Sequence, residues 1–440
     1  MLSKEENDLL CRVGPGTPMG NLLREYWFPA MPSFELPSPD CPPKRARLLG
    51  EELVMFRDSS GKVGMTAQAC PHRGASLFFG RNEENGLRCV YHGWKFDTTG
   101  ACIDMPSEPA ESNFKSKVRV RAYPCHEVNH LIWVYMGPRE VPPPFPAFEV
   151  NTLPPEQVSQ PSIMMEESNW VQNIEGDIDS SHIDYLHSRL HADGSAGGFF
   201  NRDRAPRILI VPTDYGAFYS GQRQWDDEGN LWHRITQFIF PFHSMVESAD
   251  ADRVTLRSHI PLDDHYSMLV YQRGNLSRPI TDEENHFMLN MYEKTGGYLP
   301  ATSDPSTRYF TAANKSNDYL LDHEVQRTLR FSGVPGGGNL QDRAMTELMT
   351  SEDGVEPIYD RAHEHLGTTD SMVILMRRLL IGAAKALRDR GVVPANVDNV
   401  ELDGVRPAGL ILPPDADWVK ESEEARRSRA GEKLANVTQA

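Results

Sequence analysis

Short segments that alternate apolar and polar residues fill the first third of the chain. LLGEELVMFRD, GKVGMTAQAC, GLRCVYHGWKFDTTG and KVRVRAYPCHEVNHLIWVYMG follow one another between Arg47 and Gly137, with glycine and asparagine at the breaks. A period of two bounded by turn residues predicts a compact antiparallel β-domain over 47–137. PREVPPPFPAF at 138–148 comes next, and its prolines cannot donate to a central ladder, so it reads as a linker. Beyond it the period lengthens. In SNWVQNIEGDIDSSHIDYLHSRLH, residues 168–191, Trp170, Ile174, Ile178 and Tyr185 recur at helical spacing, and Ser168 is placed as an N-cap; this predicts a helix with an irregular end. Alternation returns in RILIVPT, GAFYSGQRQW, LWHRITQFIF, RVTLRSHIPL and YSMLVYQRG, residues 207–276, a second antiparallel sheet with DDEGN at 226–230 as a turn. TDSMVILMRRLLIGAAKALRDRG at 369–391 is the strongest helical pattern, with Leu, Ile and Met placed to pack on that sheet. The end of the chain, 419–440, is charged and expected to be loose. No internal repeat is present. The expected class is α+β: the β-domain, then a domain over 149–418 in which helices cover an antiparallel sheet, with 1–46 a helical segment packed on the latter.

Length supports that division, since 440 residues exceed the size at which one hydrophobic core stops growing. The charge, 45 basic against 62 acidic residues for a net of −17, excludes a general nucleic-acid binder, which needs a cationic surface. The start MLSKEENDLL lacks the positive and apolar regions of a secretory signal. With no run of about 18 apolar residues to span a membrane, a cytoplasmic protein is expected. Six cysteines are too few for a disulfide scaffold, and Cys11, Cys41, Cys102 and Cys125 show no pairing logic. Cys70 and Cys89 differ, because each has a histidine close by.

CPHRGA and CVYHGW give a Cys-x-His and a Cys-x-x-His pair, Cys70 with His72 and Cys89 with His92. Such pairs can make a tetrahedral zinc site or a two-iron cluster with cysteines on one iron and histidines on the other. Zinc fingers usually pair like with like, whereas here each loop supplies one thiolate and one imidazole, which suits two unlike irons. Pro71, Gly74 and Gly93 allow tight turns, and Leu77, Phe78, Tyr91 and Trp94 can screen the centre from water. In ligand identity, spacing and flanking turn residues, CPHRGA and CVYHGWKFDTTG resemble the Rieske [2Fe–2S] motif of the Rieske non-haem iron oxygenases. A cluster of this kind carries single electrons and needs only about a quarter of this chain, so the remainder should hold their destination.

EGDIDSSHIDYLH contains Asp179, His182 and His187. Two histidines and a carboxylate can form a facial triad for Fe(II) that leaves positions open for oxygen. Five residues separate the histidines, about 140° of rotation at roughly 100° per residue, so both cannot ligate from a straight helix. Either the helix ends there or a π-type bulge intervenes. Taken alone, the pair reads first as ordinary solvent or core histidines with a capping aspartate.

NWxQNxEGDxDSSHxxxLH resembles the mononuclear-iron segment of the homo-oligomeric, phthalate dioxygenase-like branch, and the likeness runs from the N-terminus to about residue 390. It implies a helix-grip-like catalytic domain, His182 and His187 as Fe(II) ligands, and Asp179 as the acid that passes electrons between subunits. In that reading Asp179 bridges its own His182 and the cluster histidine of a neighbour, most naturally His92, within a homotrimer or stacked hexamer; Asp177 and Asp184 are rivals by proximity. The third ligand is a downstream carboxylate. Asp370 is already explained as a cap of the strong helix, whereas Asp342, with Gln341 and Glu347, resembles the ligand-bearing segment. No flavin or nicotinamide motif is evident, so the resemblance implies a separate reductase of flavin and ferredoxin type that uses NAD(P)H. The expected activity is O2-dependent hydroxylation of an aromatic carboxylate by a dioxygenase, with an O-demethylating or ether-cleaving monooxygenase as the alternative. A plain Rieske electron carrier and a zinc-stabilised binding protein are the non-oxygenase readings. A carboxylate substrate calls for an arginine, first Arg207, then Arg202, Arg204, Arg223 or Arg234. The run from Gln237 to His243 could form an apolar pocket wall or simply core.

Overall fold

The computed structural model describes residues 2–190, 196–197, 203–247, 252–398 and 401–427. Three small antiparallel sheets build the first part of the molecule. Lys44–Leu48, Glu51–Arg57, Val63–Ala67 and Ala122–Tyr123 form one, and Arg81–Glu83, Gly86–Arg88, Lys95–Phe96 and Cys102–Asp104 form a second. The third joins Trp27–Pro32, Leu131–Tyr135 and Cys125–Val128. It reaches back across the expected boundary at residue 47, with Trp27 opposite Tyr135 and Pro32 opposite Leu131. WFPAMP has no alternation to signal a strand because all six of its residues are buried. Val54, Phe56, Leu77, Leu87 and Phe96 pack with Cys70 and Cys89 in a core of their own, while the third sheet shares the main core with the rest of the chain.

The larger domain is built on an eight-stranded antiparallel sheet. Its spatial order is Ser162–Glu166, Ser267–Asn275, Arg253–Pro261, His243–Met245, Leu231–Ile239, Gly216–Gln224 and Arg207–Thr213, with Ala408–Leu412 pairing on Leu231–Ile239. All five strands expected over 207–276 are present. The helix expected at 369–391 runs Ser371–Arg390 and stops at Gly391, which takes φ +65°. It lies against helices Lys4–Cys11 and Pro18–Leu23 and against the last two strands of the sheet order. The Gln237–His243 run is interior packing: Phe242 stacks on Phe28 at 5.1 Å between ring centroids and Phe240 meets Tyr26 at 5.8 Å. At the C-terminus a short helix, Trp418–Glu421, covers Phe218, and residues 428–440 lie outside the described set. Among the described residues no helix is long and apolar enough to cross a membrane.

Register decides which side chains of the sheet meet the segment after residue 177. Tyr219 pairs with Thr236, Gly221 with Arg234 and Arg223 with Trp232. The Tyr219 hydroxyl donates to the Ile178 carbonyl at 2.8 Å, so this face looks onto residues 178–190. The segment itself departs from the long helix its periodicity predicts. The helix is Trp170–Asp177, followed by a 3₁₀ turn at His182–Asp184 and a strand at Arg189–Leu190. Its cap is Asn169, whose side chain accepts from the Val171 N–H, while the Ser168 hydroxyl bonds Asn173 instead. The helix stops because short polar side chains take over the backbone: Asp179 Oδ1 accepts from both the N–H and the hydroxyl of Ser181, each at 2.7 Å.

Candidate metal centres

Two loops with the same backbone present the first four candidate ligands. The N–H groups of Gly74 and Gly93 donate back to the Cys70 and Cys89 carbonyls, and those of Cys70 and Cys89 donate to the Ala75 and Trp94 carbonyls, all at 2.8 to 2.9 Å. Gly74 and Gly93 take φ +74° and +80°, conformations that a side chain would strain. Cys70 and Cys89 are buried, and burial pushes the Cys70 thiol up to about 11. His72 and His92 sit side by side with ring centroids 4.4 Å apart, and Trp94 stacks on His72 at 4.3 Å. No three of the four donor atoms fall within 4.8 Å of one another. A tetrahedral zinc with bonds of about 2.0 to 2.3 Å would hold all of them closer than that. The set fits two metal atoms, one on the thiol side and one on the imidazole side.

The second set comes from two separate segments. His182 and His187 lie on the irregular stretch after the short helix, and Asp342 lies on helix Gly338–Thr346. Their donor atoms converge: the two Nε2 atoms are 3.2 Å apart, and Asp342 Oδ1 lies 3.0 Å from His187 Nε2 and 3.5 Å from His182 Nε2. One ion about 2.1 Å from each donor fits those separations, with its remaining positions open. Each imidazole is fixed through its other nitrogen. His182 Nδ1 faces Asp179 Oδ2 at 3.3 Å, and His187 Nδ1 faces Gln341 Oε1 at 2.8 Å; Gln341 is in turn held by donating to the Val334 carbonyl at 3.0 Å. Burial works to raise the Asp179 carboxyl, but its bonds with His182 and Ser181 hold it down to about 2, so it is ionised at any working pH.

The rival acids are occupied. Asp177 accepts from Arg257 at 2.6 Å and Ser244 at 2.7 Å and meets His259 at 2.9 Å, which fastens the helix end to the sheet. Asp184 is fully buried against Arg223 at 2.7 Å, and Arg223 also binds the Ser180 carbonyl at 2.5 Å. Asp370 does not cap the long helix through its side chain as expected: it precedes Ser371, but its Oδ2 accepts from the Gly367 N–H at 2.6 Å, within the 3₁₀ turn Thr368–Asp370. Arg223 thus staples the ligand loop to the sheet, and Gly221 makes room for it: a Cβ there would lie 2.4 Å from Ser180 Oγ. Gly221→Val is therefore expected to weaken binding at the mononuclear site by roughly 10- to 100-fold, while the Cys70 and Cys89 centre keeps its spectrum. Co(II) titration of protein stripped of mononuclear metal reads this directly, and unchanged affinity would contradict the staple.

The arginines divide by register. Arg207 pairs with Gln222 on the opposite face of the sheet from Gly221 and Arg234, and it is exposed, so it does not reach the triad. Arg202 lies outside the described residues, Arg204 sits over the Tyr185 ring at 5.2 Å, and Arg223 is committed to the loop. Arg234 is different. It is on the triad-facing side, its charge weighs against protonation of His182, and its Nη1 is buried with no hydrogen-bond partner among the described residues. Glu247 nearby does not neutralise it fully, because burial pushes that carboxyl up to about 7. Beside Asp179, His182 and Asp342 a groove of about 640 Å³ opens to the surface, walled by Tyr185, Leu186, Phe331, Met345 and Met349.

Residues 26–124 match the family described as Rieske [2Fe-2S] domain, and residues 134–439 match the one described as LigXa C-terminal domain like. The 3-chlorobenzoate-3,4-dioxygenase oxygenase subunit of Comamonas testosteroni is 40% identical over 95% of this chain and 96% of its own. The phthalate 4,5-dioxygenase oxygenase subunit of Pseudomonas putida is 36% identical over 95% and 94%. The 5,5'-dehydrodivanillate O-demethylase oxygenase subunit of a Sphingobium species is 39% identical over 81% and 78%. In fold, the oxygenase in the oxygenase and ferredoxin complex of carbazole 1,9a-dioxygenase superposes with a TM-score of 0.54 at 17% identity, covering 90% of this chain and 96% of that one. With one centre for a [2Fe–2S] cluster and another for a mononuclear iron, the chain belongs to the Rieske non-haem iron oxygenases, as the terminal oxygenase subunit of a system whose electrons come from a separate protein.

Proposed function

We propose that the chain hydroxylates an aromatic carboxylate as a dioxygenase, and that Arg234 seats the carboxylate. The observation that carries this reading is the buried Arg234 Nη1 without a partner beside the triad. A buried guanidinium nitrogen without a hydrogen-bond partner is costly, and a bound carboxylate would satisfy it. Two relatives that cover nearly the whole chain are named for chlorobenzoate and phthalate, both aromatic acids. When bound, the cluster supplies single electrons and Fe(II) supplies a site for activating O2. His182, His187 and Asp342 would hold the ion, Asp179 and Gln341 would keep Nε2 of each histidine turned toward it, and Arg234 would hold the ring at a fixed distance from the open positions.

The relative named as an O-demethylase favours a second reading, removal of a methyl group from an aryl ether. Turnover under labelled oxygen separates the two. A ring diol carrying both labelled atoms is the expected product from 3-chlorobenzoate or phthalate, whereas label released with formaldehyde from a methoxy acid marks the demethylase. If only uncharged aryl ethers react, the carboxylate reading fails. Arg234→Ala is expected to raise KM for the acid roughly 10- to 100-fold with kcat changed far less, as loss of one charge-assisted contact of about 1.5 to 3 kcal/mol requires. An unaltered KM would refute that role for Arg234.

We further infer a homo-oligomer, a trimer or stacked hexamer. Among the described residues the groove at Asp179 is lined by ones between 172 and 377, none of them from the chain's own Rieske domain. Its exposed apolar wall has a counterpart in Phe79, Val90 and Tyr91, which stand exposed around the cluster loops. A reductase of flavin and ferredoxin type using NAD(P)H would supply the electrons, as the implied class of donor.

A further inference from the structure

The first domain is charged against the trend of the molecule. Residues 44–128 hold 13 lysines and arginines against 10 acids, a net of +3, in a chain whose total is −17. The excess gathers in one strip. Lys115, Lys117, Arg119 and Arg121 alternate in KSKVRVR with no acid between them, and all four are exposed. Lys115 donates to the Ile103 carbonyl at 3.3 Å and Arg119 to the Thr99 carbonyl at 2.8 Å, and among the described residues only Arg121 of the four meets a carboxylate, Glu51 at 3.0 Å. Glu108 and Glu111 precede the strip, and Glu108 is engaged with the Ser112 hydroxyl.

An aromatic path leads inward from the same place. Phe114, 44% exposed, stands at the head of the strip and meets Trp94 edge-on at 6.0 Å between ring centroids. Trp94 is buried, and it stacks on His72 at 4.3 Å and 18°. Two ring contacts therefore separate the surface from a cluster ligand. His92 has a different neighbourhood, with Tyr91 at 4.0 Å and the exposed apolar Val90 beside it. The cluster thus has one approach, at His72, headed by the basic strip, and another, at His92, that is mainly apolar with the single cation Arg73 over the Tyr91 ring at 5.7 Å.

We propose that the strip from Phe114 to Arg121 is the docking surface for the protein that reduces the cluster, an acidic ferredoxin-type domain with its own [2Fe–2S] centre. One electron leaves that centre, which is oxidised, and enters the Rieske cluster at its His72 edge, which is reduced. Charge complementarity selects this occupant: four exposed cations steer and orient an acidic donor, whereas the Asp179 groove, with its exposed apolar wall, fits the His92 side. The proposal rests on the reading that a separate protein supplies the electrons.

The test uses the holoenzyme and a reduced plant-type [2Fe–2S] ferredoxin as an acidic donor. Stopped-flow absorbance follows reduction of the cluster at several salt concentrations, and calorimetry follows binding of the oxidised donor. In the wild-type protein the rate should fall as salt rises. In Lys115→Glu/Lys117→Glu/Arg119→Glu the second-order rate constant should drop by about 10- to 100-fold and lose its salt dependence. Reduction by photoreduced deazaflavin, a neutral small molecule, should be unchanged, as should the visible spectrum and the oligomer mass. Phe114→Ala, which removes no charge, should keep the wild-type salt dependence and be reduced more slowly at saturating donor. The proposal is overturned by a triple variant that the ferredoxin reduces at the wild-type rate, by a wild-type protein the ferredoxin does not reduce, or by a variant that breaks up the oligomer, which would make the strip a contact between copies of this chain. A protein with no Rieske spectrum would instead defeat the oxygenase reading itself.

Discussion

His182→Ala is expected to abolish turnover while leaving the Rieske spectrum intact. The two centres sit in different cores, with Cys70 and Cys89 among Val54, Phe56 and Phe96, and His182 in the loop against the large sheet. Removing one imidazole from the converging set leaves His187 and Asp342, too few to hold the ion firmly. The iron content should fall from about three atoms per chain to about two, the two of the cluster. Turnover should fall by more than about 100-fold, since loss of an outer partner alone typically costs 10- to 100-fold. Asp342→Ala should behave the same way and Asp370→Ala should not, because Asp370 lies outside the converging set and bonds the Gly367 N–H. Iron analysis, the visible spectrum and product formation decide the matter together. Retained turnover in His182→Ala would leave only a Rieske electron carrier, and a colourless wild-type protein containing zinc would leave a binding protein.

What the sequence makes legible is what lies in short local patterns. Cys70, His72, Cys89 and His92 fall in two turns whose glycines and ligands are neighbours in the chain, so spacing alone carries the geometry. The five strands of 207–276 are marked by β-rich runs between turn residues rather than by strict alternation, since stretches such as 217–221 and 235–239 are buried on both faces. Trp27–Pro32 does not alternate, being buried throughout, and no period marks it. The long helix fails for another reason: Trp170, Ile174 and Ile178 keep a helical spacing, but Asp179 and Ser181 form side-chain bonds that end the helix, and side-chain competition leaves no mark on periodicity. Arg207 and Arg234 illustrate the limit most clearly. Both are arginines in strands of the same sheet, and only the pairing register, Arg207 with Gln222 and Arg234 with Gly221, sends one away from the triad and the other toward it. Gln341 stood beside Asp342 in the sequence, yet its bond to His187 is a contact across 154 residues that no local pattern contains.

Asp179→Asn should leave both metal centres filled and stop electrons from passing between them. Asparagine keeps the size of the side chain and an oxygen for Ser181, so the loop can hold its place, while its NH2 now faces His182 Nδ1 and cannot accept from it. It loses the negative charge, and with it the charge-assisted bond to His182 and the one proposed to His92 of the partner subunit. After anaerobic reduction and mixing with O2 and substrate, reoxidation of the cluster should slow by roughly 100-fold, the scale of losing an oriented partner. Rapid reoxidation would sink the bridge. Whether the path runs between chains can be read separately. Hetero-oligomers of Cys70→Ser chains, which keep the mononuclear site, and His182→Ala chains, which keep the cluster, should recover turnover that neither parent shows. A path within one chain predicts that they stay inactive, because no single chain then holds both centres. Recovery should also vanish when Asp179→Asn is placed in the Cys70→Ser chain and persist when it is placed in the His182→Ala chain, since only the acid beside a filled mononuclear site has an electron to receive.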